Sequence, residues 1–138
     1  MKQFGRLILD IKCARDMSTM DMFKALGWLP IDTRADYFLG VLVYKSLHGL
    51  TPDYLSNIFR YLKDVHNVTT RRSHTNNLYE PRAKTKFGEM SISYSGSRLW
   101  NKLPDHIKNQ QTLNSFKKHY MNFCLLNAFN CDRFYLDK

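Results

Sequence analysis

The stretch from Thr33 to Leu47 constrains the fold more than any other part of the chain. It carries Tyr37, Phe38, Leu39, Val41, Leu42, Val43, Tyr44 and Leu47, which at helical spacing surround most of a cylinder. A helix apolar nearly all round has to be buried, so this segment is expected at the centre of a helical core. Asp32 or Thr33 supplies its N-cap, and Gly49 its stop signal.

Other helices follow from the same periodicity. Phe4, Leu7, Ile8 and Ile11 predict an amphipathic helix over residues 2–13. Ser18 with Asp21 resembles a capping box and opens a short helix with Met22, Phe23 and Leu26, ended by Gly27. Trp28 and Trp100, each beside leucine and close to proline, read as anchors that tie turns to the core. Thr51-Pro52 reads as an N-cap followed by proline at the first helical position. The helix it opens carries Leu55, Ile58, Phe59 and Leu62. Ser95 or Ser97 caps a helix through Leu103, limited by Pro104, and a turn with Ile107 follows. Thr112 caps a last long helix with Leu113, Phe116, Tyr120 and Phe123 along one side.

Periodicity vanishes between Lys63 and Asn77, a polar and basic stretch that reads as an exposed loop. Leu78-Tyr79-Glu80 and Met90–Tyr94 carry strand formers or alternate, so they are expected to pair as a β-ribbon. An isolated hairpin is marginal, so the ribbon must pack on the helices. The expected class is mainly α (α+β): a helical domain with a small β-ribbon.

Composition removes several functions. No run approaches the roughly 18–20 apolar residues of a membrane span, and no signal-peptide pattern opens the chain. An intracellular protein, nuclear or cytoplasmic, is the expectation, with no membrane partner. Cys13, Cys124 and Cys131 form an odd set without a CxxC spacing, so no disulfide framework is expected. His119, Cys124 and Cys131 are the one cluster that approaches a zinc site, and they lack a fourth ligand; buried apolar thiols are the better reading. No GxSxG, HExxH, Walker loop or GxGxxG occurs, and the carboxylates are scattered. No catalytic residue, metal ligand or cofactor is therefore assigned.

Charge points to a partner. The chain has a net charge of +9, and residues 60–102 hold 9 of the basic residues against 3 acidic ones. Such a field attracts polyanions, and nucleic acid is the commonest one in a cell. Arg71 and Arg72 sit in the polar loop, Arg82, Lys84 and Lys86 in the ribbon region, and Arg98 and Lys102 on one helix face at i, i+4. These seven are the candidate phosphate contacts. Tyr79, Phe87 and Tyr94, interleaved among them, are candidates for base stacking, the alternative being that they close the core beneath the ribbon. His48 is read as capping the last carbonyls of the helix before it, with phosphate contact as the alternative. Arg34 and Lys45 read as capping and snorkelling residues.

An ordered series of blocks also resembles a known family. Leu26-Gly27-Trp28-Leu29-Pro30-Ile31, Arg34, Tyr37 and the run Val43–Leu55 come first. Arg71-Arg72-Ser73, Leu78, Pro81-Arg82 and Ser93–Gly96 follow. Leu99-Trp100-Asn101-Lys102-Leu103-Pro104, Ile107, Leu113, Phe116 and Lys117 close the series. Together they are similar to the C-terminal, post-thumb segment of reverse transcriptases from LINE-type (non-LTR) retrotransposons of the jockey and chicken-repeat kind. No single block is specific; their order carries the resemblance, over about residues 1–125.

The resemblance implies an end-of-thumb-like helix in residues 1–16, where Arg6-Leu7-Ile8 matches. It implies a post-thumb domain over 17–128 and leaves 129–138 as a tail. The parent family is an RNA-directed DNA polymerase whose palm holds metal ions on a Tyr/Phe-x-Asp-Asp motif. That motif is missing here: Asp36 and Asp132 each stand alone. Fingers, palm and endonuclease would lie upstream of Met1. The expectation is thus a non-catalytic transposable-element fragment that binds RNA template or target DNA. The alternatives are an inactive remnant, or a module docking on the fingers–palm–thumb through its aromatic tail, Phe129, Phe134, Tyr135 and Leu136.

Overall fold

A computed structural model describes residues 18–65 and 76–130 of the chain. The helix expected over 2–13, Arg71 and Arg72 of the basic loop, Cys13, Cys131 and the tail beyond Asn130 lie outside them. Eight helices occur among the described residues: α1 (Thr19–Leu26), α2 (Ile31–Leu47), α3 (Asp53–Ser56), α4 (Leu62–Val65), α5 (Lys86–Glu89), α6 (Ile92–Lys102), α7 (Asp105–Lys108) and α8 (Leu113–Asn130). The class is mainly α, as expected. No helix among the described residues is long and apolar enough to cross a membrane.

The described residues fall into two compact units, one with residues 18–35 and 120–130 and the other with residues 36–65 and 76–119. In the first, α1 starts after Ser18, whose side chain makes no capping bond, so the expected capping box is absent. Its end is as expected. Gly27 adopts a left-handed conformation (φ 63°), its N–H bonds the Lys24 carbonyl, and the Trp28 N–H bonds the Phe23 carbonyl. This pair of bonds satisfies carbonyls that a helix end would otherwise leave open. Trp28 itself stays 37 % exposed rather than anchored. Met22 is buried in this unit, as are Tyr120, Cys124 and Ala128, which recur every four residues along α8. Cys124 is a buried free thiol, matching its reading as a small apolar residue.

The second unit is organised on the C-terminal half of α2. Val43 and Tyr44 have no exposed surface, whereas Ile31 and Phe38 nearer the start are more than half exposed. The all-round burial expected of this helix is thus confined to its last turns. Tyr44 stacks between His48 and Phe116, with ring centroids 3.9 Å and 4.3 Å away. Its hydroxyl donates to the Gln110 carbonyl at 2.6 Å. His48 Nδ1 bonds the Tyr44 carbonyl at 2.8 Å, so this histidine caps the helix end. Trp100 extends the run of rings, 6.0 Å from Phe116.

Gly96 lets α6 approach closely. A Cβ at this position would meet the Phe59 ring at 2.8 Å and Val43 Cγ2 at 3.1 Å. Downstream, Pro104 ends the helical run, and Ile107, in the short helix α7 where a turn is expected, is buried. Thr112 Oγ1 accepts from the Ser115 N–H and caps α8.

Several expectations fail. α2 already begins at Ile31, so neither Asp32 nor Thr33 is its N-cap. The single helix after Thr51-Pro52 is broken into α3 and α4, because the backbone of Arg60–Leu62 pairs instead with Asn77–Tyr79. The Leu62 N–H bonds the Asn77 carbonyl at 2.9 Å, and the Tyr79 N–H bonds the Arg60 carbonyl at 2.8 Å. Thr51 does not cap α3; its hydroxyl joins Ser46 and Ser56. The β-ribbon is not formed either. Among the described residues, pairing is limited to one antiparallel bridge, Tyr61 with Leu78. Met90 is the C-cap of α5, and Ile92–Tyr94 are the first turn of α6. Ser91, not Ser95 or Ser97, caps α6 by accepting from the Tyr94 N–H.

Gly96→Ala should therefore destabilise the protein by about 1–3 kcal/mol, as overpacking does in well-packed cores, measured by urea denaturation. Burial raises the Tyr44 phenol above its usual value near 10, and burial with the Asp64 carboxylate raises Tyr61. The unfolded chain then releases protons that the folded one keeps. Stability should be intact below pH 10 and fall as pH climbs through the raised values; Tyr44→Phe should flatten part of that fall in a chemical-denaturation series.

Candidate nucleic-acid interface

The basic middle of the chain is built around α6 and the extended segment before α5. Leu78 forms the bridge with Tyr61 as a pair whose flanking residues make the backbone bonds, so its own N–H and C=O point the other way. Asn101 takes both. Its Oδ1 accepts from the Leu78 N–H at 2.8 Å, and its Nδ2 donates to the Leu78 carbonyl at 2.9 Å. A side-chain amide thus stands where a third strand would otherwise be. Nδ2 also donates to Glu80 Oε1 at 2.8 Å.

Neighbouring residues fasten the same segment. The Trp100 indole N–H donates to the Asn76 carbonyl at 3.0 Å. Lys108 Nζ donates to Asn77 Oδ1 at 3.0 Å and lies 3.7 Å from Asp105. Burial holds the Lys108 ammonium below the ordinary lysine range, and the Asp105 carboxylate opposes that shift. Lys108 is 5 % exposed, so it acts as a structural cation rather than a surface one.

Between the fastened segment and α6 lies an open concavity of about 620 Å³. Arg98 and Lys102 line it from successive turns of α6, Tyr79 and Glu80 from the extended segment, and Leu62 from α4. Of the ten candidate residues, three are brought together here: Arg98, Lys102 and Tyr79. Glu80 and Asn101 belong to the same groove, and sequence reasoning assigned neither; the Trp100-Asn101 pair gave no signal beyond a turn motif.

The remaining candidates are placed differently. Arg82 and Lys84 are exposed on the segment leading into α5 and Lys86 at its first residue, and none of them lines the groove. None of these three, nor Arg98 or Lys102, is ion-paired with a described residue. Phe87 is 86 % exposed, so it does not close a core, while Tyr79 and Tyr94 are half-buried. Arg71 and Arg72 fall outside the described residues. Among those described, no group of three or more His, Cys, Asp or Glu is placed to hold a metal.

No family model matches the chain, and neither a curated protein nor a solved structure shows significant similarity to it.

Asn101→Ala would strip Leu78, 1 % exposed, of partners for both backbone groups. An unsatisfied buried group costs about 1–3 kcal/mol, so a loss of about 2–5 kcal/mol is expected from denaturant titration. A loss below about 0.5 kcal/mol, the range of ordinary surface changes, would show that the amide is not what holds the segment.

Proposed function

We propose that this chain is a non-catalytic nucleic-acid-binding module, similar to the post-thumb segment of a LINE-type retrotransposon reverse transcriptase, that holds RNA or target DNA on its basic face. The observation that carries the reading is the groove itself. Two cations one helical turn apart, neither ion-paired with a described carboxylate, line one concavity with an aromatic ring. Guanidinium and ammonium groups bind phosphates by displacing condensed counterions, and an aromatic face accepts an unpaired base. Arg82, Lys84 and Lys86 extend the positive field beyond the groove. The ordered sequence blocks add the retrotransposon context.

A second reading, docking on upstream polymerase domains, draws support from a different observation. Phe87, Met90 and Ile92 expose apolar surface within six residues of one another. On that reading, substituting Phe87 and Met90 by Ser would abolish co-purification with a fingers–palm–thumb fragment and leave oligonucleotide binding intact.

Fluorescence anisotropy with single-stranded RNA, an RNA hairpin and duplex DNA across a salt series tests the main reading. Affinity should fall steeply with salt. For single strands each phosphate contact contributes about 0.7 to the slope, so Arg98→Ala with Lys102→Ala should reduce it by about 1.4. The set Arg71, Arg72, Arg82 and Lys84 to Ala should reduce it further. A folded chain that binds none of the three ligands at low salt would overturn the proposal.

A further inference from the structure

The groove contains a charge that simple phosphate binding does not call for. Glu80 lines it beside Arg98 and Lys102, yet no ion pair joins the carboxylate to either cation. Glu80 is held instead by the Asn101 amide, through Oε1 at 2.8 Å, and the same amide is fixed to the Leu78 backbone. The carboxylate is therefore positioned by the fold and not by its neighbours of opposite charge. The cations stay available to an anion, and the carboxylate stays available to a donor. An ionised carboxylate has about four lone-pair sites, so one bond from Asn101 leaves acceptor capacity on both oxygens.

A ligand that satisfies this groove carries negative charge, a flat ring and a pair of hydrogen-bond donors. Nucleotides supply the first two features in every case, and the third separates the bases. On its Watson–Crick edge guanine presents an N1–H and an amino N–H side by side, which match the two oxygens of a carboxylate. Adenine and cytosine each offer one amino group next to a ring acceptor. Uracil offers one N–H flanked by two carbonyls, which a carboxylate repels. In a duplex that edge is occupied by pairing, so the guanine must be unpaired, as in a loop, bulge or single strand.

Resting on the nucleic-acid reading above, we infer that the groove selects an unpaired guanine nucleotide, with phosphate on Arg98 and Lys102, the ring against Tyr79, and the Watson–Crick edge on the Glu80 carboxylate. Glu80 is then a specificity residue that weakens phosphate binding in general and repays that loss with one base alone.

The test uses the full chain and uracil-rich RNA nonamers whose central base is guanine, inosine, adenine or uracil, with Kd measured by anisotropy at fixed salt. The guanine oligomer should bind about tenfold tighter than the uracil one, within the range of a bidentate base contact. Inosine, which keeps N1–H and lacks the amino group, should fall between them. Glu80→Gln retains an oxygen for the Asn101 amide and removes the charge. It should equalise the four oligomers while binding the uracil one as tightly as the wild type or tighter.

Equal binding of all four by the wild type would overturn the guanine inference and leave phosphate binding standing. A guanine preference that survives in Glu80→Gln would also overturn it. Absence of binding to any nonamer, hairpin or duplex at low salt would overturn both. The comparison of guanine with inosine needs no variant, so it decides the matter even if Glu80→Gln fails to fold.

Discussion

The bonding of Asn101 to the Leu78 backbone is the constraint on which the candidate interface depends. A buried backbone N–H and C=O must find partners, and a short segment between helices has few to choose from. The Tyr61 bridge uses the flanking residues, and Asn101 completes the count for Leu78 itself. One amide does the work of an adjacent strand at a single residue. It also carries Glu80 with it, so the wall of the groove and one of its charges are set by the same side chain.

That arrangement needs α6 held firmly, and the aromatic packing provides this. Trp100 precedes Asn101 on α6, is buried, and lies in the run of rings that includes Phe116, Tyr44 and His48. One turn earlier on the helix, Gly96 fits against the Phe59 ring and Val43 with no room for a methyl group. The apolar contacts fix where α6 lies; the indole N–H and the Asn101 amide then fix the extended segment to it. The position of the groove wall is thus set by the core.

Lys108 and Arg98 show how similar charges acquire different roles. Lys108 is enclosed, bonded to Asn77 and close to Asp105, so its ammonium serves the fold. Arg98 and Lys102 are exposed, and no described carboxylate forms an ion pair with them. A count of basic residues treats all three alike. Desolvation and hydrogen bonding separate the structural cation from the available ones.

By itself the sequence determined the helical class, the Gly27 and Gly49 stops, the Thr112 cap, the anchoring of Trp100 in the core, the turn that follows Pro104, and the excess of positive charge. These depend on local chemistry: a left-handed glycine, a hydroxyl ahead of a first turn, an apolar residue at helical spacing. Local signals also misled. Met90–Tyr94 alternates like a strand, but five residues are too few to separate that pattern from Ser91 opening a helix. Leu55, Ile58, Phe59 and Leu62 have helical spacing, yet the chain breaks there because Arg60–Leu62 gains a partner in Asn77–Tyr79. Only the tertiary structure decided that pairing, the exposure of Phe38 and Phe87, and the meeting of Glu80 and Tyr79 with Arg98 and Lys102. The reason is physical: each depends on which distant segment satisfies a backbone group or covers a ring, and no local pattern carries that information.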